Sequence, residues 1–441
     1  MGAMIKILTE DKLEESFFKG RDFGSSIESV RTILENVRLN KDKALKQYSL
    51  DFDKADLSSF EIPQEELKAA AEKLQKTNPS LYKSICYSHE LALKFANLQK
   101  NSFNDFETEL VPGIFTGQKN IPVEKAGVYV PAGRFPLVST VVMTVTPAEA
   151  AGVKEIILCS PPRKHPSKEN APYADENIMA AAYICGVTKM FAAGGAQSIA
   201  ALAFGTESIP KVDVIVGPGN KFVAEAKKLV YGNVGIDMIA GPTEVFIIAD
   251  SSANPEWVAA DLLAQAEHDV VAQPVLVTDD KNLAEKVSAE IERQIELLST
   301  KQTARESIDN CGKIIITENL ERAAEIANRK APEHLELAME DGELRNKIEK
   351  LCTNYGSLFI GHNSAEVFGD YAAGLNHTLP TSGSARFTGG LSVRVFLKTV
   401  TTLRTQSGKS GYTESAEAAG FLGDAEGLAA HARAARLRLE K

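Results

Sequence analysis

Val212-Asp-Val-Ile-Val-Gly-Pro-Gly-Asn220 decides the fold. A short run rich in valine and isoleucine stops at two glycines and an asparagine, and Phe222 to Val230 then continues with helical spacing. That sequence of events is the strand–turn–helix unit of a parallel sheet. Toward the N-terminus the unit recurs. Lys189-Met-Phe-Ala-Ala193 runs into Gly194-Gly195 and a helix from Gln197 to Phe204. Glu155-Ile-Ile-Leu-Cys-Ser160 precedes a helix from Asn177 to Cys185, and Val128-Tyr-Val130 leads through Pro131-Ala-Gly133 to a helix ending near Ala151. Four repeats predict a sheet wound with helices. Ligands of such sheets sit at the carboxyl ends of the strands, where glycine admits close approach and helix N-termini favour phosphate. The turns at 131–133, 194–197 and 217–220 are therefore candidate dinucleotide contacts, although the GxGxxG fingerprint is missing. The charged, proline-rich stretch 161–172 reads as a surface insertion.

Beyond 240 the alternation resumes. Gly241-Pro-Thr-Glu-Val-Phe-Ile-Ile-Ala249 leads by a strand into a helix that Asn254 caps and Pro255 starts. Strands at 274–278 and 313–317 alternate with an amphipathic helix from Leu283 to Leu298, and a helix from Asn319 to Asn328 follows. From Ile27 to about Asn101 the pattern is helical, with Ile33, Val37, Leu67 and Leu74 on apolar stripes. The expected fold is α/β, with two Rossmann-like parallel-sheet domains. A short N-terminal arm (1–24) precedes a discontinuous domain (25–125 and 243–390) that the helical segment completes. A dinucleotide-binding domain (126–242) is inserted into it, and a largely helical tail (391–441) follows.

A chain of 441 residues is long enough for two or three such cores. Its net charge of −10 argues against a nucleic-acid partner. No apolar run approaches the ~20 residues of a membrane span, and the N-terminus lacks the apolar core of a signal peptide. Cys86, Cys159, Cys185, Cys311 and Cys352 form no CxxC pair, which predicts a cytoplasmic, reducing setting with small buried thiols.

Four islands carry the chemistry. Gln265 and His268 share one face near the end of the 255–268 helix and can reach a single ion. Pro332-Glu-His-Leu335 sets a carboxylate beside an imidazole, the side chain best poised to move a proton near neutral pH. Gly369-Asp-Tyr-Ala-Ala-Gly-Leu-Asn-His377 packs Asp370, Asn376 and His377 among small residues, and Glu426-Gly-Leu-Ala-Ala-His431 lies near the C-terminus. His89, His165 and His362 read as surface residues.

With Gly217-Pro-Gly-Asn220, Ile236-Asp-Met238 and Gly241-Pro-Thr-Glu-Val245, these islands occur in an order that resembles the histidinol dehydrogenase family from about residue 25 to the end. The resemblance implies zinc-dependent, four-electron oxidation of L-histidinol to L-histidine with two NAD. It implies zinc ligands at Gln265, His268, Asp370 and His431, and a catalytic pair at Glu333 and His334. Thr243, His377 and Glu426 match substrate contacts, as do the zinc ligands and His334, and Tyr129, Gln197 and Asn220 match NAD contacts. It also implies an intertwined homodimer whose tail completes the neighbour's site. Thr243 stands where serine is frequent, Pro131-Ala-Gly133 replaces Pro-Gly-Gly, and Ser382 to Arg404 differs from well-known members. Relatives oxidise other small polar alcohols, dihydroxypropanesulfonate among them. Glu426 favours histidinol, because a carboxylate suits a cation and repels a sulfonate.

Overall fold

The computed structural model describes residues 5–19, 27–133, 135–239 and 241–440. Among them two six-stranded sheets and one three-stranded sheet form. The first sheet runs, edge to edge, Glu61–Ile62, Lys189–Ala192, Glu155–Ser160, Lys125–Tyr129, Val214–Val216 and Gly235–Ile236. All are parallel except the Glu61–Ile62 edge. Strand order reverses at Lys125–Tyr129, so its carboxyl end, at Tyr129 to Gly133, opens a crevice. The two short edge strands were not legible in the sequence, because two residues carry no alternation.

The second sheet runs Lys6–Thr9, Lys313–Ile316, Gln273–Thr278, Glu244–Ala249, His334–Ala338 and Ser357–Ile360, all parallel. The arm is thus partly an edge strand, with Lys6 opposite Lys313, and Phe17 is buried against the sheet. Residues 1–4 and 20–24 of the expected arm lie outside the described residues.

Packing corrects one expectation. Helices Ile27–Asp53, Gln64–Thr77 and Pro79–Asn101 do not complete the second sheet; Val30, Leu67, Leu74 and Ile85 share a core with Val128, Val141, Ile178 and Ile199 of the first. The cause is composition. Helix Val138–Ala151 is buried at nearly every position and helix Gly195–Phe204 from Ala196 to Ala203, so both need cover on their outer faces. The amphipathic N-terminal helices supply it.

The tail also differs. Leu397–Thr405 is a strand, antiparallel to Ile114–Pro122, and helices begin only at Ser410–Ala425 and Ala429–Arg436. Lys398-Thr-Val-Thr-Thr402 is rich in β-branched residues, which fit a pleated surface better than a helix. Of the three histidines read as surface residues, His165 is buried and His89 and His362 are partly buried. The 161–172 insertion holds no helix or strand, and two of its own backbone N–H groups, from Ser167 and Lys168, donate to His165 Nδ1 at 3.0 Å.

Candidate active site

Three of the four chemical islands meet where the second sheet's strands begin, the end opposite to the crevice rule. Helix Leu320–Lys330 stops at Ala331, whose φ of 52° and ψ of 65° are left-handed. A non-glycine residue there costs about 1 kcal/mol, and the proline that follows disfavours the right-handed region for it. The turn drives the chain straight into strand His334–Ala338, with His334 paired to Val245 across the sheet. Glu333 Oε2 accepts from Thr243 Oγ1 at 2.6 Å and from the Glu244 N–H at 2.9 Å. His334 Nδ1 lies 3.0 Å from the Glu244 carbonyl, so Nδ1 is the donor and Nε2 is left to act. Nε2 is buried, makes no hydrogen bond among the described residues and lies 3.7 Å from Asp370 Oδ1.

Asp370 arrives on the short helix Glu366–Tyr371. Gly369 allows this: a Cβ there would meet Phe359 at 2.7 Å, so only glycine lets the helix press on strand Ser357–Ile360. Glu366, four residues before Asp370 on the same face, is fully buried with Oε2 3.6 Å from His334 Nδ1. Burial pushes Glu333 up to about 7, partly offset by His334 and the Thr243 and Glu244 hydrogen bonds. Burial likewise lifts Glu366 to about 8. Burial alone would depress His334, but Glu333, Glu366 and Asp370 outweigh it and hold the imidazole at about 10. Burial would raise Asp370, yet His334, His377 and His268 bring it below the usual carboxylate range.

Gln265 is buried, its amide between Thr243 Oγ1 and Glu366, 3.1 Å from both carboxyl oxygens. With its NH₂ toward Glu366, its carbonyl accepts from Glu244 N–H at 3.1 Å and competes with Glu333 for the one Thr243 hydroxyl proton. The amide must turn out of this network to reach an ion. His268 is exposed and lines a cavity of about 740 Å³ with Glu267, Ser139, Tyr371, Ser88 and Phe135. His377 Nε2 is 3.1 Å from Ser139 Oγ, and desolvation holds its imidazole below the ordinary range. Asn376 Nδ2 donates to the Met143 carbonyl at 2.6 Å and ties this loop to the first core.

Glu426 and His431 do not join. Both are exposed on the tail, whose helices pack on each other. Among the described residues no three His, Cys, Asp or Glu side chains converge to hold an ion. Glu366 and Glu244 were missed by sequence reasoning. The i, i+4 spacing of Glu366 and Asp370 was an available signal; nothing in the sequence marked the backbone role of Glu244.

Tyr129, Gln197 and Asn220 stand at the carboxyl edge of the first sheet. The Gly195 N–H donates to Tyr129 Oη at 3.2 Å, and Gln197 Nε2 reaches Asp53 Oδ2 at 3.4 Å. Burial raises Asp53 to about 6. Asn220 Oδ1 caps helix Lys221–Val230, accepting from Phe222 and Val223 N–H at 3.0 and 3.2 Å. Gly217 has a φ of +115°, and a Cβ there would sit 2.2 Å from the Tyr129 carbonyl oxygen. Gly217→Ala is therefore expected to cost at least about 2 kcal/mol, a Tm drop of ~2 °C or more by calorimetry. An unchanged Tm would contradict the turn as described.

Comparison with known proteins decides the kinship. The family model for histidinol dehydrogenase matches residues 19–439. The chain belongs to the histidinol dehydrogenase family. Histidinol dehydrogenase of Streptococcus mutans is 44% identical over 419 residues, 94% of this chain and 92% of its own. Sulfopropanediol 3-dehydrogenase of Ruegeria pomeroyi is 42% identical over 437 residues, 98% of this chain and 97% of its own. A crystal structure of histidinol dehydrogenase from Elizabethkingia anophelis superposes with a TM-score of 0.91 at 35% identity, covering 100% of this chain and 99% of that one. The family is one of oxidoreductases, and no helix among the described residues is long and apolar enough to cross a membrane.

Proposed function

We propose that this chain catalyses the zinc-dependent, NAD-linked, four-electron oxidation of L-histidinol to L-histidine through the aldehyde, in a cytoplasmic homodimer with shared sites. The observation that carries the proposal is the buried His334 Nε2, without a hydrogen-bond partner among the described residues and facing Asp370 beside Glu333. An orphaned imidazole nitrogen next to two carboxylates is costly unless a reacting group uses it.

The donors fit zinc in kind: an imidazole, a carboxylate and an amide oxygen, with open positions. His268, Asp370 and Gln265 would hold the ion, with His431 from a second copy of the chain. Bound there, zinc would anchor the substrate's imidazole and amine as a Lewis acid, and two NAD, binding in turn at the first sheet's carboxyl edge, would each take one hydride. His334 Nε2 accepts the alcohol proton in the first oxidation. With Asp370 engaged by the ion, the field that raises His334 would weaken and its imidazole would fall toward the range of a base. Glu333 then draws a proton from the water that adds to the aldehyde. A carboxyl held near 7 is matched to that task at neutral pH. Thr243, hydrogen-bonded to Glu333, and His377 face the same region and are assigned to substrate.

Asp370, ionised in this site, joined by Glu426 from the second copy, favours a cationic substrate. A second reading, oxidation of a sulfonated diol, is supported by the Ruegeria relative, whose identity of 42% rivals that of the histidinol dehydrogenases. The metal assignment is tested by His268→Ala and Asp370→Ala. Each is expected to emerge folded but without stoichiometric zinc and without turnover. Full zinc by elemental analysis together with normal rates would overturn it.

A further inference from the structure

Lys330 is an amine sealed in the protein, 2% exposed, and the proposed chemistry gives it no task. Its Nζ lies 3.1 Å from Glu244 Oε1 and donates to Gln273 Oε1 at 3.0 Å. Gln273 Nε2 donates to the same Glu244 oxygen at 3.2 Å, and the Phe17 ring stands 5.4 Å from the ammonium. Glu244 is 1% exposed, and its second oxygen has no hydrogen-bond partner among the described residues. Its backbone meanwhile holds both members of the Glu333–His334 pair. The N–H binds Glu333 Oε2 at 2.9 Å and the carbonyl receives His334 Nδ1 at 3.0 Å. The catalytic pair therefore rests on the two peptide groups of one residue, and Lys330 anchors that residue's side chain. Removing one partner of a buried pair leaves the other charge uncompensated.

We infer that Lys330 is a positioning residue: paired with Glu244, it fixes the peptide that carries Glu333 and His334 and cancels a negative charge beside Glu333. This rests on the reading of Glu333 as the base of the aldehyde step. Glu333 is faced by His334, Glu244, Glu366 and the Thr243 hydroxyl, and His334 in turn by Glu366 and Asp370, so Glu244 is one of three charged neighbours of Glu333. Burial is the larger cause of the raised Glu333 carboxyl, and Glu244 adds to it.

The test is the pH profile of aldehyde oxidation in the zinc-loaded, full-length protein. Lys330→Met leaves Glu244 bare, so the acid limb should move up by about one pH unit, with a roughly five-fold loss at pH 7 that recovers in alkali. Glu244→Gln removes the carboxylate and leaves the ammonium, so the limb should move down. KM for the aldehyde and zinc content should stay near wild type in Lys330→Met. A merely structural role would lower rates without opposite shifts. Limbs that coincide with wild type, or shift the same way in both variants, overturn the inference. If Lys330→Met does not fold, Glu244→Gln decides alone: a lowered limb supports the inference, an unmoved or raised one refutes it. Glu333→Gln separates the two levels. If the acid limb survives in that variant, the base assignment is wrong; if it vanishes there but Lys330→Met leaves it in place, only the role of Lys330 falls.

Discussion

His334→Asn is expected to lower both oxidations, alcohol to aldehyde and aldehyde to acid, by about 10²–10⁴-fold, the usual worth of a positioned proton acceptor. Asparagine can keep a hydrogen bond to the Glu244 carbonyl, where Nδ1 now sits at 3.0 Å, but offers no basic nitrogen toward Asp370. Glu333→Gln should act unequally. The amide can still accept from Thr243, yet it cannot take a proton from water, so aldehyde oxidation should fall far more than alcohol oxidation. In the wild type the aldehyde step should gain rate as pH rises through about 7, where Glu333 loses its proton, and lose it below. Rates measured separately with the alcohol and the aldehyde check this. Small and equal losses in Glu333→Gln would remove that residue from the hydration step.

The second large effect is a recovery. Phe421 and Leu422 on the tail are 70% and 64% exposed, and Glu426 and His431 beside them touch nothing of their own chain's site. Apolar side chains held out on helices with so little core of their own call for a partner surface. If a second copy provides it, an inactive His431→Ala chain mixed with an inactive His334→Asn chain should regain activity. With random exchange at equal amounts about half the dimers are mixed, and each carries one intact site of two. Recovery should approach roughly one quarter of wild type. No recovery after verified exchange would show that His431 serves its own chain.

Much of this was legible in the sequence. Glycine-terminated apolar runs located the central strands of the first sheet within one to three residues, because a strand buried on both faces reads as a continuous apolar run. Gln265, Glu333, His334, Asp370 and His377 were all singled out, and the fold brings them to one end of the second sheet. What escaped was long-range. Which sheet the 27–101 helices cover depends on the all-round apolarity of Val138–Ala151, a property of the layer they pack on rather than of their own stripes. The strand nature of His334–Ala338 hid behind the Pro-Glu-His motif, and with it the hold of Glu244 on both catalytic side chains. Lys330 looked like an ordinary helix-end lysine, favourable near a helix C-terminus; only packing shows that it is buried.

The central claim, that this acid-lined site oxidises L-histidinol, is tested most directly by following NADH from zinc-loaded protein with L-histidinol and, in parallel, with dihydroxypropanesulfonate. The account predicts two NADH per L-histidinol consumed, with L-histidine as product, and a much lower initial rate on the sulfonated diol at equal concentration. A faster rate on dihydroxypropanesulfonate, or no NADH from L-histidinol, would contradict it.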